Sequence, residues 1–187
     1  KSIRFGLGAI KGVGIKSITS MVREREANGK FKNIIDFMTR VKSDVLNKRQ
    51  LEKLIQAGAF DSLEKNRSKL FHNVTKFVDL YGSEKLQNQE MLFEEKEISF
   101  EDSNLFDQNV ENWNNLETLT NELEVIGFYF TDHPLNYYPK LFFKMENVKK
   151  FIEVDKDKFN SVKVCGAILD IKESSNKDGK KYAFITI

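Results

Sequence analysis

Gly12 and Gly14 stand either side of Val13, directly before a run in which Ile15, Ile18, Met21, Val22 and Arg25 follow helical spacing. That junction constrains the fold more than any other feature of the chain. Glycine takes φ > 0 and lets its backbone approach a neighbouring molecule closely. A helix that starts at such a turn points unpaired N–H groups and its positive dipole end outward. Lys11 and Lys16 flank the turn. Together these features make a phosphate seat, one that touches nucleic-acid backbone rather than base edges. A dinucleotide-binding turn would need a buried strand before it and a βαβ unit around it, and a Walker-type loop would end in Gly-Lys-Ser/Thr. Neither pattern is present. The competing reading of one Gly-x-Gly is an ordinary tight bend between helices.

The next sixty residues repeat the theme in structure more than in letter. The first helix ends near Gly29, Asn33 caps a short helix carrying Ile34, Ile35, Phe37 and Met38, and Asn47 caps a helix with Leu51, Leu54 and Ile55 on one face. A second tight connection follows at Gly58-Ala59, and Leu70, Phe71, Val74, Phe77, Val78 and Tyr81 trace another helical face before Gly82. Residues 1–82 therefore read as two helix–hairpin–helix units. Lys65, Arg67 and Lys69 crowd the start of the last helix, where cations oppose the dipole. That conflict is relieved if an anion binds there; a solvated basic face is the alternative.

Charge is segregated along the chain of 187 residues. Residues 1–82 hold 17 Lys/Arg against 8 Asp/Glu, residues 83–136 hold 2 against 13, and residues 137–187 hold 11 against 7. The basic block suits an anionic partner; the acidic block would be repelled by one and should face solvent or protein. Residues 83–112 lose helical periodicity and read as a linker. Within it, Gln89-Glu90-Met91-Leu92-Phe93 places apolar anchors and an aromatic ring in polar surroundings, the composition of a docking peptide. The alternative is that these side chains tuck onto their own domain. Leu105-Phe106 is a poorer copy that is expected to pack internally.

Leu116, Leu119, Leu123 and Ile126 restore a helical stripe that ends at Gly127, and Pro134 is placed to open a short helix through Tyr138 and Leu141. From Val162 to Asp170 the residues alternate as a strand does, Ser174–Lys181 is a polar turn, and Tyr182–Ile187 is a second strand. Two strands are marginal alone and look like the opening of a larger barrel or sheet. The expected domains are 1–82, 83–112, 113–161 and 162–187. The chain begins without Met and stops inside an apolar run, as an excised piece of a longer protein would.

Several functions find no support. His72 and His133 have no Cys, His or paired carboxylates at ligand spacing, so no metal site is expected. The single Cys165 excludes an internal disulfide, is expected to be inert core, and leaves a cytoplasmic location as the default. Trp113 is expected to pack rather than to stack on a base. The carboxylates at 94–95 and 101–102 lie in sequence too mobile for catalysis. No nucleophile–base pair and no strand-borne aspartate set for phosphoryl transfer is visible. No apolar run approaches the ~20 residues of a membrane span.

Three runs carry a family resemblance: Ile-Arg-Phe-Gly-Leu-Gly-Ala-Ile-Lys-Gly-Val-Gly at 3–14, Leu-Asn-Lys-Arg-Gln-Leu-Glu-Lys-Leu-Ile-Gln-Ala-Gly-Ala-Phe-Asp at 46–61, and Glu-Leu-Glu-Val-Ile-Gly-Phe-Tyr-Phe-Thr-Asp-His-Pro-Leu at 122–135. In order and spacing they resemble the α subunits of bacterial replicative DNA polymerase III. The resemblance implies a mainly α chain: a tandem helix–hairpin–helix region, an acidic linker, further helices, and the first two strands of a truncated OB-type barrel. It implies duplex DNA contact by Lys11, Gly12, Val13, Gly14, Lys16, Gly58, Lys65, Arg67 and Lys69. It implies sliding-clamp contact by Gln89, Met91, Leu92 and Phe93, and a place among other replisome subunits. Single-stranded DNA would belong to a complete OB domain. The family's Mg2+-binding palm aspartates lie outside this chain, so no cofactor and no polymerase activity are expected of it. The expected role is a tether that holds duplex DNA without reading sequence. A hairpin-bearing piece of a repair enzyme and a structural spacer are the alternatives.

Overall fold

Asparagine sets most of the helix starts. Asn33 accepts from the Asp36 N–H at 2.8 Å before α2 (Ile34–Arg40), and Asn47 accepts from the Gln50 N–H at 3.0 Å before α3 (Lys48–Gln56). Asn66 accepts from the Lys69 N–H at 2.8 Å before α4 (Arg67–Tyr81), and Asn114 from the Glu117 N–H at 2.9 Å before α5 (Asn115–Ile126). Each oxygen satisfies a donor that the helix itself leaves without a partner. At Asn47 and Asn114 the third helical residue reaches back to the cap N–H and completes a capping box. The exception is α1 (Ile15–Asn28), which starts at Gly14 with no side-chain cap and no acid in its first turn.

A computed structural model describes residues 5–41, 45–81, 106–138 and 165–187. The chain divides into two compact units, Lys1–Thr131 and Asp132–Ile187. In the first, one core gathers Ile10, Val13, Ile18, Met21, Ile34, Phe37, Leu51, Leu54, Ile55, Phe60, Leu70, Val74 and Phe77 together with Phe106, Val125 and Ile126. Edge-on ring contacts join Phe31 to Phe37 at 5.0 Å and Phe37 to Phe60 at 4.8 Å. Arg40 clamps the corner between α1 and α2: its Nε donates to Glu24 at 3.0 Å, its Nη1 to Asp36 at 3.0 Å and its Nη2 to the Gly29 carbonyl at 2.9 Å.

Most helices fall where the sequence places them, although Leu116, expected on the stripe of α5, is exposed and three further differences stand out. Ile15 is 69% exposed rather than part of the buried stripe, because it is the first residue of α1 and lies over the short 3-10 turn Leu7–Ala9. Residues 106–113 do not continue the linker but run back against α4. The Asn73 side chain, fully buried, donates to the Asp107 carbonyl at 3.0 Å and accepts from its N–H at 2.9 Å. Phe106 stacks on Phe77 at 4.6 Å, the Asn66 amide reaches the Val110 carbonyl at 2.9 Å, and Trp113 meets Phe71 edge-on at 5.5 Å. Finally, α5 belongs to the same core as the hairpins instead of to a separate connector. His72, on α4, sits 3.0 Å from Asp107 at the exposed surface.

In the second unit, His133 caps the one-turn 3-10 helix Pro134–Tyr137 through its Nδ1, which accepts from the Leu135 N–H at 3.2 Å. The turn stops at Tyr138; Leu141 lies outside the described residues. The strands are β1 (Asp170–Ser175) and β2 (Lys181–Thr186), antiparallel, with Ser175 opposite Lys181 and Asp170 opposite Thr186. The expected strand from 162 thus begins later: residues 165–169 are not in a strand, and 162–164 lie outside the described residues. The turn sets this register, since the Asn176 side chain accepts from the Asp178 and Lys180 N–H groups at 3.0 and 2.8 Å. Ile171, Phe184 and Ile185 are all exposed on this hairpin. Cys165 is half-buried and not part of a core. A mainly helical fold that ends in a two-stranded antiparallel sheet is consistent with the start of an OB-type barrel. No helix among the described residues is long and apolar enough to cross a membrane.

Candidate nucleic-acid interface

The first hairpin is held from beneath and open above. Ile10 and Val13, which flank the turn, are 3% and 7% exposed and anchor it in the core. Between them the chain reverses at Gly12, whose φ of +81° is one that L side chains rarely adopt. The Lys11 N–H donates to the Val125 carbonyl at 2.8 Å, and the Val13 N–H to the Ile10 carbonyl at 3.2 Å. Gly14, at φ −73° and ψ 141°, is ordinary extended backbone. Its glycine is therefore not demanded by conformation. A Cβ there would meet only the Gln50 amide nitrogen at 3.6 Å and the Ser17 hydroxyl at 4.0 Å. Gln50 joins this helix start to α3, donating to Ser17 Oγ at 3.2 Å.

Lys11, Gly12, Gly14, Ile15 and Lys16 are all exposed. The start of α1 thus offers a dipole end without a capping oxygen or a carboxylate, set between two cations. Val13 contributes a buried anchor rather than a donor, because its N–H is already used within the turn. The Lys11 ammonium lies beside Gly127, 3.6 Å from where a Cβ would stand, at the negative end of α5.

The second hairpin is filled by the protein's own groups. Gly58 also has a positive φ, +75°, but a Cβ there would overlap the Arg67 guanidinium and come within 2.8 Å of Asp61 Oδ2. Arg67 binds Asp61 with two parallel hydrogen bonds, Nε to Oδ1 at 2.8 Å and Nη2 to Oδ2 at 2.6 Å. Its Nη1 donates to Glu122 Oε1 at 2.9 Å. Lys69 is buried and paired with Glu64 at 3.4 Å. The cations crowding this helix start are thus answered by internal carboxylates, Arg67 by Asp61 and Glu122 and Lys69 by Glu64. Lys65 remains exposed, on an open polar pocket of about 240 Å³ that it shares with Asp61, Arg67, Ser68, Asn112 and Thr118.

Glu122 is the residue that the residue-by-residue reading missed. It is fully buried, and it accepts from the Phe130 and Thr131 N–H groups at 2.9 and 2.8 Å, from the Thr131 hydroxyl, and from Arg67. Burial works against its charge, but the bonds from Thr131, Arg67 and Phe130 outweigh burial and hold its carboxyl below the usual range. Arg67 likewise stays charged: burial opposes it, and Asp61 and Glu122 more than compensate. Gln89, Met91, Leu92 and Phe93 lie outside the described residues. Among the described residues no three of His, Cys, Asp and Glu converge as a metal-ligand set.

Residues 1–70 match the family model of the helix-hairpin-helix motif. The chain is similar to DNA polymerase III subunit alpha from Neisseria meningitidis serogroup B, 34% identical over 189 residues that cover 99% of this chain and 16% of that protein. The Borreliella burgdorferi subunit is 32% identical over 187 residues, covering 97% of this chain and 16% of the relative. The Aquifex aeolicus subunit is 31% identical over 189 residues, covering 99% and 14%. The chain therefore spans 14–16% of the length of these relatives.

Proposed function

Since the chain belongs to the family of DNA polymerase III α subunits, we propose that this segment holds duplex DNA by its sugar–phosphate backbone through the first hairpin. The observation that carries the reading is the start of α1. Among the α-helices of the described residues it is the one that starts at glycine where the others start at asparagine, and it is exposed between Lys11 and Lys16. A phosphate there would take the place of the missing cap. Lys11 and Lys16 supply charge, Gly12 makes the turn, and Gly14 leaves the approach clear. Val13 and Gly58 support the two turns from within, and Lys65 adds a peripheral cation. Such contacts carry no sequence information, which suits an enzyme that moves along its template.

Within the same reading, Gln89, Met91, Leu92 and Phe93 form the sliding-clamp peptide. A second modest contact to a ring around the same duplex would raise effective concentration and so processivity. The test is fluorescence anisotropy with duplex DNA across a salt series, repeated with purified clamp. Lys11→Gln should weaken binding to every sequence and reduce the log–log salt slope by about 1. Addition of clamp should tighten the complex. An unchanged slope removes Lys11 from the interface, and no response to clamp removes the peptide's role. A chain that binds neither partner is a spacer.

A further inference from the structure

We propose that Arg67 and Glu122 are positioning residues for the first hairpin: the second hairpin holds α5, and α5 holds the first hairpin in the pose that meets DNA. This rests on the DNA-binding reading above. The path is continuous in named bonds. Arg67 emerges beside Gly58 and grips Glu122 at 2.9 Å on α5. Gln56, at the end of α3, fixes the neighbouring Asn121 through its side-chain amide at 3.0 Å, and its carbonyl meets Arg67 at 3.4 Å. Three residues beyond Glu122, less than one turn along the same helix, the Val125 carbonyl accepts the Lys11 N–H at 2.8 Å.

The bond to Val125 is available because the last carbonyls of a helix have no partner within it. It fixes the peptide directly before Gly12, and hence the direction in which the turn presents its backbone. The same helix end sets its negative dipole beside the Lys11 ammonium and so holds that cation at the edge of the seat. One short rigid helix therefore carries the second hairpin on its side and the first at its end. In this arrangement Arg67 acts on DNA affinity without touching DNA.

The sign of one substitution separates positioning from plain electrostatics. Glu122→Gln removes a negative charge, and charge alone would then tighten a DNA complex. Positioning predicts the reverse, because Arg67 loses its charged partner on α5 while keeping Asp61, and α5 loses one of its holds on the second hairpin. In salt-series anisotropy with duplex DNA, Glu122→Gln should weaken binding roughly tenfold. The log–log slope should stay that of the unaltered chain, since no phosphate contact is lost. Arg67→Lys, a milder change that keeps the charge but not the fork, should show the same pattern and serves if Glu122→Gln does not fold. Circular dichroism and the fluorescence of Trp113, which packs against Phe71, report the fold.

A double-mutant cycle removes the remaining ambiguity. Where Gly14→Asn has already blocked the seat, Glu122→Gln should cost little further affinity. Tighter binding by Glu122→Gln, a slope that falls by about 1 with Arg67→Lys, or losses that simply add in the cycle would each overturn the positioning role. Duplex binding by the unaltered chain with the expected Lys11 effect would leave the DNA-binding reading standing in those cases. No duplex binding by that chain overturns both.

Discussion

At the first hairpin Gly14 leaves α1 without a cap, whereas at the second Asn66 caps α4 and Arg67 closes over Gly58. Both turns use a glycine at positive φ between two helices, and both stand in basic sequence. They differ in where the answering anion comes from. Asp61, Glu64 and Glu122 supply it internally at the second. At the first, no carboxylate stands in the opening turn of α1. The lesson is that a basic hairpin is a candidate for phosphate only where the protein has left its donors unanswered. The same motif, once neutralised from within, becomes a mount.

The two hairpins should differ most on loss of the mount. Arg67→Ala would leave Glu122 buried without its cation, and removing one partner of such a pair costs about 3–5 kcal/mol. Chemical denaturation should show it; a loss below about 1 kcal/mol would mean the pair is not structural. Next come the two glycines at positive φ. Gly58→Ala must displace Arg67 as well as strain the backbone, whereas Gly12→Ala meets only Lys53 Cγ at 3.9 Å. Strain alone is worth about 1–2 kcal/mol, so Gly58→Ala should be clearly the more destabilising of the two. Equal losses would erase the distinction between a filled and an open turn.

A smaller effect lies in the pH dependence. Glu122 has a native carboxyl below its ordinary value, so its contribution is complete above the unfolded value of about 4.3 and is lost as pH falls through the native one. Thermal melts should show the unaltered chain losing stability below about pH 4 faster than Glu122→Gln does. Parallel curves would place the acid sensitivity elsewhere.

Much of the fold is legible in the sequence because it is local. Asn33 and Asn47 announce their helices, Gly29 and Gly127 end theirs, and the stripes through Leu51, Leu54 and Ile55 or Val74 and Phe77 give the buried faces. What escaped is non-local. Nothing near residue 107 signals that its backbone will be read by Asn73 on α4. Lys65, Arg67 and Lys69 look alike as letters, yet one is exposed and two are turned to carboxylates far or near in sequence. A signal did exist on the other side of that pair. Glu122 stands on the apolar stripe of α5 with Leu119 and Ile126, and an acid on a buried face needs a cation to meet it. In the register that puts Asp170 opposite Thr186, residues before 169 have no partner on β2, so β1 begins later than the alternation from Val162 suggests.

If Gly14 leaves the start of α1 open for a phosphate, Gly14→Asn should change stability and duplex affinity in opposite directions, both measured on the same protein. The backbone there already has cap geometry, so asparagine should give α1 the oxygen that its neighbours have and raise stability by a few tenths of a kcal/mol. The same side chain would occupy the seat, and duplex binding should fall. A more stable variant that binds DNA as well as the unaltered chain would mean that no phosphate sits at the start of α1.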